Sequence, residues 1–116
     1  MTPEALLPDL MALNQGPNIL PLEGEIDLHV SSEVAESLRT MIAKKPKQVV
    51  VDLTKVTYLD SSGLAVLIEG MQNVQEYGGR FAVAGVQESV KHILEIARLD
   101  QVFRIFPDVD SALAAN

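Results

Sequence analysis

Gln48-Val49-Val50-Val51-Asp52-Leu53 is the stretch on which the fold turns. It is a nearly continuous apolar run of β-branched residues, as a strand covered on both faces requires. This predicts the central strand of a sheet. Downstream, a turn is expected over residues 54–60. From about Ser62 to Gln75, Leu64, Leu67, Ile68, Met71 and Val74 then recur at helical spacing, and Gly78-Gly79 ends the helix. Upstream, Val34, Leu38, Met41 and Ile42 share one face of a second helix. Ser31 and Ser32 are expected to cap it, Glu33 and Glu36 suit its first turn, and Lys44-Lys45-Pro46-Lys47 closes it.

Further out, Asn18-Ile-Leu-Pro-Leu-Glu-Gly-Glu-Ile-Asp27 reads as a short strand interrupted by Pro21. Proline cannot donate a ladder hydrogen bond, so the strand belongs at an edge or beside a bulge. On the other side, residues 81–85 form a strand and residues 88–98 an amphipathic helix through Val90, Ile93, Leu94 and Ala97. Residues 102–106 close the sheet, Pro107 stops the strand, and Asp108 can cap a last short helix through Val109, Leu113 and Ala114. The order β-α-β-α-β-α-β-α predicts an α/β domain with an open, mostly parallel sheet. The domain proper is expected over residues 18–116. Residues 1–17, with Pro3, Pro8, Gly16 and Pro17, form an N-terminal arm, a short helix or an extra edge strand.

A chain of 116 residues, 47% of them hydrophobic, is the length of one domain. At this size roughly two thirds of the unfolded surface can be buried, so the core suffices without disulfides. There is no cysteine, which agrees with a reducing compartment. With 9 Lys+Arg against 16 Asp+Glu the net charge is −7, and only 4% of residues are aromatic, so a nucleic-acid footprint is missing. The longest apolar runs fall far short of the about twenty residues that a bilayer demands, so no membrane insertion is expected. The first ten residues carry no Lys or Arg and include Pro3, Glu4, Pro8 and Asp9, unlike a secretory signal; a cytoplasmic protein is predicted.

His29 and His92 stand without cysteine and outside any HxxxH or HExxH spacing, so no metal site is expected. Asp60-Ser61-Ser62-Gly63 is not a nucleophile elbow, and no acid–histidine pair follows it; no GxGxxG or phosphate-binding loop occurs either. The sequence therefore predicts neither an enzyme nor a cofactor. Asp52 at the end of a central strand could present a phosphoacceptor as a two-component receiver does. Yet Glu23 and Glu25 are a poor magnesium-binding pair, and Phe106-Pro107 lacks the late lysine. What remains is Tyr58-Leu59-Asp60-Ser61-Ser62-Gly63-Leu64, a polar knot between a buried strand and an apolar helix. In the plain reading it is an N-cap, with Gly63 allowing a tight turn. In the functional reading, a hydroxyl at a helix N-terminus is exposed, and a phosphate added there gains from the helix dipole and the free N–H groups.

Over roughly residues 18–113 the chain resembles the STAS family, and within it the bacterial anti-sigma factor antagonists. The resemblance is carried by Leu22-Glu23-Gly24-Glu25-Ile26-Asp27, Val49-Val50-Val51-Asp52-Leu53, Tyr58 to Leu64, Gly78-Gly79-Arg80 and residues 99–103, in that order and spacing. It implies a STAS-like mixed, mostly parallel sheet of four to five strands with helices packed on one face. It also implies a regulatory protein whose serine after the aspartate, Ser61, is phosphorylated by a partner anti-sigma factor serine kinase. Unphosphorylated antagonist binds that kinase and frees the sigma factor; phosphorylation breaks the complex. On this resemblance Asp60, Ser62, Gly63 and Leu64 belong to the phosphosite loop, with Glu25, Asp27 and His29 beside it at the same end of the sheet. Leu28-His29-Val30 and Glu95-Ile96-Ala97-Arg98-Leu99-Asp100 depart from the usual segments. They are also similar to STAS subunits of ABC-type lipid transporters, which dock without a phosphoswitch.

Overall fold

A computed structural model of the chain describes residues 18–115. Four strands, β1 (Asn18–Ile26), β2 (Gln48–Leu59), β3 (Arg80–Ala84) and β4 (Arg104–Phe106), lie side by side in that order and pair in parallel throughout. Between them run α1 (Ser31–Ile42), α2 (Ser61–Glu76) and α3 (Glu88–Ile96), the last followed by a single 3-10 turn at Leu99–Gln101. A short α4 (Val109–Ala114) ends the described chain. The expected α/β domain with an open, mostly parallel sheet of four to five strands is present, with four strands, all parallel, among the described residues. The suggested arm or fifth strand at residues 1–17 lies outside the described residues.

The central run does what its composition demands. Val49, Val50, Val51 and Leu53 are fully buried, but on two different faces. Val49, Val51 and Leu53 join Phe81, Val83 and the apolar stripes of α1, α2 and α3, including Leu38, Leu67, Val74, Val90 and Leu94. Val50 points the other way, into a small second cluster with Ala82, Ala84 and Ala112 of α4. Helices on one face is thus the rule for the three longer helices, while α4 crosses the opposite face. The alanines of β3 leave room there for so short a helix. Each fully buried valine or leucine contributes roughly 1.5–3 kcal/mol relative to an exposed one.

Two expectations are corrected. Residues 54–60 are not a turn, because β2 continues to Leu59, and Asp52 therefore does not end the strand. Against β1 the register shifts twice, Pro21↔Asp52 giving way to Glu23↔Lys55 and Gly24↔Val56 to Glu25↔Tyr58, so β2 carries an extra residue at each step. Such bulges break the two-residue alternation, and burial falls on Leu53, Val56 and Leu59, three apart. Pro21 lies beside the first shift, on a strand with no second neighbour among the described residues, as its missing N–H predicted. Second, Ser31 and Ser32 do not cap α1. The chain winds into that helix through a turn in which Val30 and Ser31 donate to the Asp27 carbonyl at 3.1 and 2.9 Å, Val30 occupies the cap position, and Ser31 is buried. Asp108 does cap α4, accepting from the Ser111 N–H at 2.7 Å.

Candidate functional site

Parallel strands bring their carboxyl ends, and the loops leaving them, to one end of the sheet. There Ile26 ends β1 and Leu59 ends β2 as register partners, and the two following loops meet. The residue that joins them is Asp60. Its backbone N–H donates to the Ile26 carbonyl at 3.2 Å. One carboxylate oxygen accepts from the Ser62 N–H at 2.9 Å, the Ser62 hydroxyl at 2.6 Å and the Gly63 N–H at 3.1 Å. The other accepts from the Leu28 N–H at 3.1 Å. Asp60 is therefore the N-cap of α2 and the tether of the β1–α1 loop at once. The Ser62 hydroxyl first, and then the Gly63 N–H, hold its carboxyl below the usual aspartate range.

Gly63 has no room for a side chain. A methyl group there would lie 2.8 Å from the Ile26 carbonyl oxygen and 3.2 Å from side-chain carbons of Ile26 and Leu59. Its closest neighbour is this chain's own backbone.

Ser61, the first residue of α2, is exposed, and among the described residues its hydroxyl makes no hydrogen bond. The Asp60 carboxylate bonds the Ser62 hydroxyl and not that of Ser61. Ser61 lies on the rim of a shallow groove of about 450 Å³, lined by Tyr58, Leu59, Asp60 and Leu64 on one side and by Ile93 and Ile96 of α3 and the following Ala97 on the other. Ile96 and, on the adjoining loop, Leu28 are apolar side chains left largely in solvent, at 72 and 75% exposure, and the Tyr58 ring is about half exposed, at 46%. The Asp27 carboxylate accepts from the His29 N–H at 3.0 Å, and the imidazole projects into solvent 3.7 Å from the same oxygen. Glu25 is exposed opposite Tyr58 in the register. The sequence thus located Asp60 to Leu64, Glu25, Asp27 and His29 at one end, and missed the wall supplied by α3. Its signal was Ile96, an apolar residue off the buried stripe of its helix.

The family model for the STAS domain matches residues 11–112. The chain belongs to the STAS domain family. This STAS domain is 30% identical over 106 residues to an anti-sigma F factor antagonist of Paenibacillus polymyxa, covering 90% of this chain and 88% of that one. Its fold matches the crystal structure of an anti-sigma factor antagonist from Mycobacterium paratuberculosis with a TM-score of 0.78 at 26% identity, over 84% of this chain and 83% of that one. It also matches SpoIIAA of Bacillus, solved unphosphorylated (TM-score 0.74, 17% identity, 84% and 85% covered) and phosphorylated (0.67, 16%, 84% and 88%). Among the described residues of the STAS domain no three His, Asp or Glu side chains gather as metal ligands, and no helix is long and apolar enough to cross a membrane.

Proposed function

We propose that this STAS domain is an anti-sigma factor antagonist that docks a partner anti-sigma kinase through the groove beside Ser61 and is switched off by phosphorylation of Ser61. The observation that carries the reading is the division of labour at the start of α2. Asp60 caps the helix and Ser62 answers it, which leaves the exposed Ser61 with no hydrogen bond through its hydroxyl among the described residues. A kinase can reach it without unfolding anything. The apolar residues around it, Tyr58, Leu64 and Ile96, are what a protein partner would cover.

The chemistry of the switch follows from charge. Phosphate adds about −1.5 to −2 units at a helix N-terminus, where the dipole tolerates it and the fold survives. The same charge stands next to Asp60, with Asp27 and Glu25 at the same end of the sheet, inside a contact closed around a neutral hydroxyl. A desolvated, unpaired charge costs several kcal/mol, and even about 3 kcal/mol weakens binding more than a hundredfold. That the fold also exists as an antagonist solved in phosphorylated form supports the idea that it accommodates a phosphate.

The test is affinity purification of the tagged chain from its native host, followed by incubation with Mg·ATP and mass spectrometry. The reading expects a soluble ATP-binding kinase to copurify, to modify Ser61 and to be released afterwards. Recovery of an ABC transporter component, with Ser61 unmodified, would favour constitutive docking as a transporter subunit instead.

A further inference from the structure

At the opposite end of the sheet, where β2 and β3 begin, the charge reverses. Lys45, Lys47 and Arg80 converge on an open concavity of about 510 Å³ completed by Tyr77, Gly78 and Gly79. They are three of only nine Lys+Arg in a chain of net charge −7. Their grouping is therefore not what an even spread of surface charge would give. No carboxylate lines the concavity, and among the described residues none of the three cations makes an ion pair.

The walls are fixed in place. The Arg80 N–H donates to the Lys47 carbonyl at 2.9 Å, which ties the first residue of β3 to the residue just before β2. The Tyr77 hydroxyl donates to the Pro46 carbonyl at 2.7 Å, clamping the end of α2 onto the segment that carries both lysines. Gly79 holds the turn close to the end of α2: a methyl group there would lie 2.7 Å from the Tyr77 ring and 2.8 Å from the Val74 side chain. Like charges gathered around one concavity repel, and a multiply charged anion relieves that repulsion while accepting charge-assisted hydrogen bonds from a guanidinium and two ammonium groups. The volume lies within the range of small-ligand sites.

The geometry points to a second binding site in this protein, for a phosphate-bearing ligand held by Lys45, Lys47 and Arg80. It lies at the far end of the strands from Ser61. Occupancy there would be an input separate from phosphorylation.

The experiment titrates the full chain with sodium pyrophosphate at constant ionic strength, by calorimetry and by amide chemical shifts, and in a parallel arm floats it on vesicles with and without phosphatidylglycerol. A free ligand predicts saturable one-site binding of pyrophosphate with shifts confined to residues 45–47 and 77–80. A lipid headgroup predicts flotation on the anionic vesicles alone. In either arm Lys47→Gln with Arg80→Gln weakens binding at least about tenfold, whereas Lys55→Gln with Lys91→Gln, an equal loss of charge elsewhere, leaves it unchanged. No binding in both arms, or equal weakening by the two variant pairs, overturns the site. Neither result touches Ser61, whose partner is measured separately.

Discussion

The carboxylate of Asp60 holds the backbone N–H of Leu28, 32 positions earlier, at 3.1 Å. With its other oxygen on Ser62 and Gly63, one side chain sets both the start of α2 and the loop that carries Asp27, Leu28 and His29. Asp60→Ala is expected to lower the thermal unfolding midpoint and to speed hydrogen exchange at Leu28, Ser62 and Gly63 together. Asp60→Asn keeps an acceptor and should retain part of the cap. If exchange at Leu28 is unchanged while the α2 amides loosen, the tether across the two loops is not formed in solution.

The lowered pKa of Asp60 makes this tether acid-sensitive. Because its folded value lies below the ordinary 3.8, the charged form contributes stability that is fully present above 3.8 and is lost as the pH falls through the folded value. Asp108 behaves in the same way, its carboxylate held by the Ser111 N–H and hydroxyl. Unfolding midpoints measured from pH 6 downward should therefore fall below about pH 4. In Asp60→Asn the slope should be shallower, and with Asp108→Asn added, shallower still. An unchanged slope in the double variant would contradict both caps.

Gly63→Ala tests a close approach inside the fold. The added methyl would meet the Ile26 carbonyl oxygen at 2.8 Å, and a backbone atom cannot swing aside as a side-chain tip can. A loss of about 1–3 kcal/mol of stability is expected from chemical denaturation, as for other overpacked sites. Reduced partner binding would then follow from the displaced α2 N-terminus. A variant as stable as the parent would show that β1 and α2 separate more easily than the contact implies.

The strengths and failures of reading the sequence have local causes. Val49 to Leu53, the stripe from Leu64 to Val74, the bulge beside Pro21 and the Asp108 cap were legible because each depends on residues close in the chain. The end of β2 was not, since two register shifts against β1 put buried residues three apart, a pattern that matches neither a strand nor a helix. Ser31 looked like a cap by type, but the turn from Asp27 to Ser31 starts the helix earlier and buries it. The capped loop at the start of α2 could be found from the Asp60 to Leu64 motif. Its apolar wall could not, because Ile93 and Ile96 join Tyr58 and Leu64 only through the parallel pairing of strands.

The two adjacent serines should separate cleanly under mutation. Ser62 gives its hydroxyl to the Asp60 carboxylate at 2.6 Å, so Ser62→Ala is expected to lower stability, by about 1 kcal/mol as for other lost hydrogen bonds. Ser61 makes no hydrogen bond through its hydroxyl among the described residues, and Ser61→Ala should stay within about 0.5 kcal/mol of the parent and keep its partner. Ser61→Asp should fold as well, since a negative charge at the first turn of a helix is favourable. Yet it brings that charge beside Asp60 into the groove lined by Tyr58, Leu64 and Ile96, where docking would strip it of water. Calorimetry against the copurified partner should find binding retained in Ser61→Ala and lost in Ser61→Asp, with circular dichroism showing both folded. Equal binding by Ser61→Asp and the parent would remove the switch and leave Ser61 a bystander on a constitutive docking surface.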